Sequence, residues 1–73
     1  MPFTAAQLDD MFTYHPPTPD QLPKYAAINA AARTFAQVVI ENSDPCPDQS
    51  VAIRHIRDAR MCANSAVALE GKF

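Results

Sequence analysis

The stretch that decides the fold is QLPKYAAINAAARTFAQVVIEN, residues 21–42. Its bulky residues Tyr25, Ile28, Phe35 and Val39, with Ala32 between, recur at alternating steps of three and four, the period of a helix with one apolar face. The pattern predicts a helix of about six turns, roughly 33 Å long at 1.5 Å per residue. Ala26, Ala27, Ala30, Ala31 and Ala36 extend the apolar surface without bulk, which lets a neighbouring helix approach closely.

Downstream, the segment SDPCPD at 43–48 holds two prolines and three capping oxygens, which stop one helix and start another. A second long helix is expected over about 49–70, its apolar side supplied by Val51, Ile53, Ile56, Ala59, Ala63, Ala66, Val67 and Leu69. Gly71, the single glycine, stands where a left-handed C-terminal cap belongs.

Upstream, Thr4 and Gln7 have the spacing of a reciprocal capping box and open a short helix over about 5–12. The segment YHPPTP at 14–19 follows, a stiff connector in which three prolines remove amide donors. Thr18 or Asp20 can cap the next helix, and Asp20 as the cap puts Pro23 in its first turn. No stretch alternates in the manner of a strand. The fold class expected is all-α: one domain over 1–73, an antiparallel hairpin of two long helices with a short N-terminal helix laid against it.

A chain of 73 residues buries too little surface to be comfortable alone. Two long helices bury only the seam between them, leaving Phe35, Val38, Ile40 and the alanine faces partly wet. Assembly into a compact homo-oligomer is therefore expected, which would also bring the Tyr14 loop of one subunit beside the long helices of another.

Composition narrows the functional classes. Six basic against eight acidic side chains provide no positive field for duplex DNA, so no DNA partner is expected. No apolar run approaches the roughly 20 residues that span a bilayer, so no membrane partner is expected either. Cys46 and Cys62 allow at most one disulfide, and without a secretory leader they are expected reduced in a cytosolic protein. Together with His15 and His55 they lack the paired spacings of a zinc site, so neither metal nor cofactor is expected.

Ser50 and Ser65 have no distinctive spacing to His55 and an acid, and one glycine cannot make a nucleotide-binding loop, so no enzymatic activity is expected. Binding has more material. Lys24, Asn29 and Arg33 recur every four or five residues down one side of the first long helix, with Tyr14 and His15 just before it. Arg54, His55, Arg57 and Arg60 crowd the middle of the second. Arg54 and Asp58, four apart, have pairing distance, whereas Arg57 and Arg60 are suited to a phosphate if an oligomer aims them. The plainer readings are a solvated polar face and a tyrosine packed over a helix end.

Taken together, FTYHPPTPDQLPKY, AAARTFAQVVIENS, the proline-broken acidic turn and AIRHIRDARMCANSAVALEG resemble the small phage proteins that sequester cyclic oligonucleotide second messengers and so blunt CBASS immunity. The resemblance runs from about residue 12 to residue 71. Its most specific parts are Tyr14-His15-x-Pro17, Ile56-Arg57-x-Ala59-x-Met61-x-Ala63-Asn64 and Ala68-Leu69-Glu70-Gly71.

It implies a homohexameric sponge in the cytoplasm of the infected cell that binds cyclic dinucleotides between subunits. In some members cyclic trinucleotides bind at separate sites on a threefold axis, and no ligand bond is broken. The family pairs a base-stacking tyrosine with a basic residue on phosphate. Tyr14 matches the tyrosine, and the basic position falls near Asn29, with Lys24 one turn earlier. That departure leaves Lys24 or Arg33 to supply charge and Arg60 to serve a trinucleotide-type site. The alternative is a helical-hairpin protein–protein interaction module with no nucleotide ligand.

Overall fold

The structure is a computed structural model and describes residues 2–72. It contains α1 (Ala5–Phe12), α2 (Leu22–Asn42) and α3 (Pro47–Ala68), and among the described residues no strand. The long helices form the expected hairpin, turning on residues 43–46. The Thr4–Gln7 capping box is present in both directions, at 2.8 and 3.1 Å.

Helix ends differ from expectation by small, explicable shifts. α2 starts at Leu22 with Gln21 as its N-cap, and neither Thr18 nor Asp20 caps it through a side chain. Gln21 is used otherwise: its Oε1 accepts from Thr18 N at 3.1 Å, and its Nε2 donates across the hairpin to Val67 O at 3.1 Å. α3 begins two residues early because Cys46 is the N-cap, its Sγ accepting from Gln49 N at 3.4 Å, and Pro47 takes the first helical position. Gln49 Nε2 in turn holds the carbonyl and hydroxyl of Ser43, which closes the turn.

α3 also ends two residues early. Glu70 adopts φ +55°, Gly71 N donates to Ala66 O and Glu70 N to Val67 O. This is a Schellman closure whose left-handed C′ position falls on Glu70, with Gly71 (φ +75°) one step beyond.

The seam follows the helical period, with one substitution in the expected series. Tyr25, Ile28, Ala32, Ala36 and Val39 of α2 turn toward Ala52, Ile53, Ile56, Ala63 and Val67 of α3. Ala36, not Phe35, occupies the inner position, because its methyl admits the partner helix where a phenyl ring would hold it off. Phe35 stays 59% exposed, and Val38 and Ile40 are exposed as well, as the hairpin geometry requires. Only Ile56 and Leu69 are as little as 8% and 9% exposed among the described residues.

α1 corrects the expected layout. No Cα of α1 lies within 8 Å of a Cα of either long helix, so it is not laid along the hairpin. In its last turn Met11 lines a crevice together with Cys62, Ser65, Ala66, Leu69 and Gly71 at the end of α3.

The result is a slab of 46 × 31 × 16 Å. Its radius of gyration is 15.5 Å, against about 11 Å for a compact chain of this length. Its accessible surface is 5761 Å², where a folded monomer of this mass would expose about 4,400 Å².

Candidate functional site

Three neighbourhoods carry the residues singled out by the sequence. The first is the start of the proline connector. Thr13 closes α1 by directing its amide and its hydroxyl to Asp9 O, then leaves in extended conformation. Tyr14, the next residue, stands 80% exposed with its ring free of the hairpin's seam. His15 turns the other way, and its Nε2 donates to the carbonyl of Asp10 at 2.6 Å. A carbonyl only accepts, so Nε2 carries the proton. Of this pair, then, Tyr14 is offered outward and His15 is engaged by the protein.

The second neighbourhood is a cleft of about 550 Å³ beside the start of α2, lined by Lys24 with Thr18, Asp20, Gln21, Ala66, Val67 and Glu70. The cross-hairpin bond from Gln21 to Val67 forms its floor. Lys24 shares this space with two carboxylates, although no carboxylate of the described residues lies within 4.0 Å of its Nζ.

The third lies between the middles of the long helices. Asn29, Arg33 and Arg60 share a cavity of 160 Å³ with Arg57, above Ala32, Ala36, Ile53 and Ile56. Alanine on α2 is what permits it, since small side chains leave room for three guanidinium groups at the rim. Among the described residues no carboxylate comes within 4.0 Å of any of them, and Arg54 and Asp58 do not pair either. Arg57, outside the residues that the sequence assigns to the site, thus belongs with the others. The hint was its i, i+3 spacing from Arg60.

Asn29 answers part of the question raised by its departure from the family's basic position. Asn64, from the seam of α3, donates through Nδ2 to Asn29 Oδ1 at 3.5 Å. That leaves the Asn29 amide hydrogens available, and donors are what a phosphate oxygen needs. Asn64 Oδ1 is itself buried without a hydrogen-bond partner. Arg60 also borders an apolar groove of about 540 Å³, whose lining includes Ile28, Ala31, Ala32, Phe35 and Ile56.

Chemically the surface can stack and donate. A bare phenol ring, an amide and unpaired guanidinium groups suit an anion carrying flat bases. No group of three or more His, Cys, Asp or Glu among the described residues is placed to hold a metal ion, and no helix is long and apolar enough to cross a membrane.

The fold and these clefts define a class: a small helical hairpin that presents an aromatic ring and cationic groups on open faces. The family profile described as Acb2/Tad1, hairpin domain, matches residues 5–68. The chain belongs to this family, the anti-CBASS cyclic oligonucleotide sponges, whose members bind cyclic oligonucleotides and act in the infected host cell. No curated protein and no solved structure gave a match.

Proposed function

We propose that this chain is a non-catalytic sponge that sequesters cyclic dinucleotides, and cyclic trinucleotides at a second site, in the cytoplasm of an infected bacterium. The observation that carries the reading is the convergence of Asn29, Arg33, Arg57 and Arg60 on one cleft with no carboxylate neighbour. In a chain with two more acidic than basic side chains, six basic against eight acidic, such a local concentration of donors suits an anionic occupant. Tyr14 supplies the stacking plate, and Lys24 adds charge from the next turn of α2.

Each bound phosphate gains charge-assisted hydrogen bonds, at about 1.5–3 kcal/mol for a bond to a charged group. Each stacked base contributes about 1–3 kcal/mol. Nothing in this scheme activates water or a nucleophile: the ligand is held and later released unchanged, and the effect on the host is a lower free concentration of messenger.

The complete pockets are formed between copies in a homohexamer. Support for assembly comes from the slab shape and from roughly 1,300 Å² of surface beyond that of a compact monomer. A symmetric interface presents Tyr14 twice, matching the near two-fold symmetry of a cyclic dinucleotide.

The test is calorimetry of the purified protein with cyclic di-AMP, cyclic di-GMP, cyclic GMP–AMP and cyclic tri-AMP, followed by heat denaturation and chromatography of what is released. Intact rings are expected in the supernatant. Tyr14→Ala is expected to abolish dinucleotide binding while leaving assembly unchanged; wild-type affinity in that variant would remove Tyr14 from the site. Cleaved rings would make the protein a hydrolase. Silence toward every ring would leave a hairpin that engages only protein.

A further inference from the structure

Tyr14 has little hold of its own: it is 80% exposed, and its side chain makes no hydrogen bond to another described residue. Its pose is set by its two neighbours in sequence. Thr13 is fastened to Asp9 O and His15 to Asp10 O, so the residue between them is bracketed onto the last turn of α1. Yet α1 approaches neither long helix along its length. A bracket fixed to an unsupported helix would swing with it.

Two features among the described residues oppose that swing. Met11 lines one crevice with Cys62, Ser65 and Leu69 of the end of α3, and Lys72 Nζ meets Asp10 Oδ2 at 3.1 Å. The lysine arrives there because the left-handed Glu70 and Gly71 reverse the chain at the end of α3, and Lys72 N then bonds Leu69 O at 3.1 Å. One residue therefore receives both the connector and the segment after α3: Asp10 takes His15 on its carbonyl and Lys72 on its carboxylate, with Oδ1 3.8 Å from His15 Nε2.

We propose that Asp10 is a positioning residue for the Tyr14 plate, and that Lys72 of the C-terminal tail locks it. The proposal rests on Tyr14 being the ligand-stacking residue. The clasp links residues 62 apart in sequence, so the tail that follows the hairpin sets the angle at which the ring meets a base. Fixing the ring before ligand arrives removes an ordering cost from binding.

The test compares Asp10→Asn and Lys72→Met with the conservative Lys72→Arg. The first readout needs no ligand: amide order parameters by nitrogen-15 relaxation. In Asp10→Asn and Lys72→Met those of residues 5–15 should fall from about 0.85 toward the flexible range below about 0.6, while those of α2 and α3 stay unchanged.

The second readout is affinity for cyclic di-AMP, cyclic di-GMP and cyclic GMP–AMP, expected to weaken about two- to fivefold, the range for an exposed ion pair. Lys72→Arg should restore both readouts, and added salt should weaken wild type more than either broken variant. Unchanged order parameters would remove the clasp. Lost order with undiminished affinity would remove its role in positioning Tyr14. If wild type binds none of the three rings, the ligand reading fails and the ligand role of the clasp with it, while the order parameters still report whether Asp10 and Lys72 hold the loop.

Discussion

Phe35→Ala separates the stability of one hairpin from the association of several. The residue is 59% exposed in the single chain and lies in the apolar groove with Ile28, Ala31 and Ala32. An aromatic side chain offers about 200 Å², so about 120 Å² of Phe35 remains for a second copy to cover. At about 25 cal/mol per Å², that is about 3 kcal/mol per copy. Truncation should then raise the dissociation constant of each contact about a hundredfold, while the helix content of the separated chain persists.

Ile56→Ala is the matched control. That side chain is 8% exposed within the hairpin itself, so its loss should cost about 2–5 kcal/mol at every protein concentration. A domain of this size has about 4–11 kcal/mol in total, and the variant should be largely unfolded near 40 °C. Sedimentation velocity across a hundredfold dilution series, with melting curves at each concentration, distinguishes the two effects. A single species near 8.0 kDa for wild type at all concentrations, or a Phe35→Ala profile superimposable on wild type, would refute the reasoning.

Three further outcomes are expected. Glu70→Gly should stabilise the hairpin by about 0.5–1 kcal/mol in urea titration, because glycine adopts φ +55° without the steric cost that a β-carbon meets there; an unchanged or lower midpoint would mean that Glu70 has compensating contacts. Cys46→Ser should hold or raise the melting temperature, since an oxygen is a better acceptor for the amide of Gln49 than sulfur at 3.4 Å, and a drop of more than about 3 °C would contradict this. Arg57→Ala and Arg60→Ala should each weaken ring binding about tenfold or more and flatten its dependence on salt, measured by calorimetry between 50 mM and 300 mM salt on the scale set by ionic screening; wild-type salt dependence in both would place the phosphates elsewhere.

The hairpin was readable because its information is local. The three-and-four recurrence in α2, the Thr4–Gln7 box and the proline-broken turn each lie within a few residues of what they determine. Cys46 as a helix cap has no signature in sequence, because thiols rarely fill that role and Ser43, Asp44 and Asp48 offer the usual oxygens beside it. Phe35 and Ala36 could not be ranked from sequence: hydrophobicity favours the phenyl ring inside, and the spacing between two close helices favours the methyl.

The placement of the candidate residues was legible only in part. Asn29 and Arg33 lie about one helical turn apart, as periodicity indicates, but Arg60, set apart in the sequence for a second site, lines the same cleft, while Lys24 lines another. What sequence reading could not supply was the clustering of Arg57 with Asn29 and Arg33 across the seam, the engagement of His15 by Asp10, or the meeting of Asp10 with Lys72. Those depend on the angle at which α1 leaves the hairpin and on the reversal at Glu70, which no short-range pattern encodes.

The tight turn at 43–46 bears on how quickly the protein becomes available. α2 and α3 are joined by only four residues, so their pairing can close like a zipper from Ser43 and Gln49 outward, with little chain entropy lost at each step. Helical topologies of such low contact order reach their native arrangement in microseconds to milliseconds, far faster than a ribosome makes the 73 peptide units. On the proposed assembly, any delay between translation and messenger capture would therefore lie in the encounter of one finished hairpin with the next, and would shorten as copies accumulate.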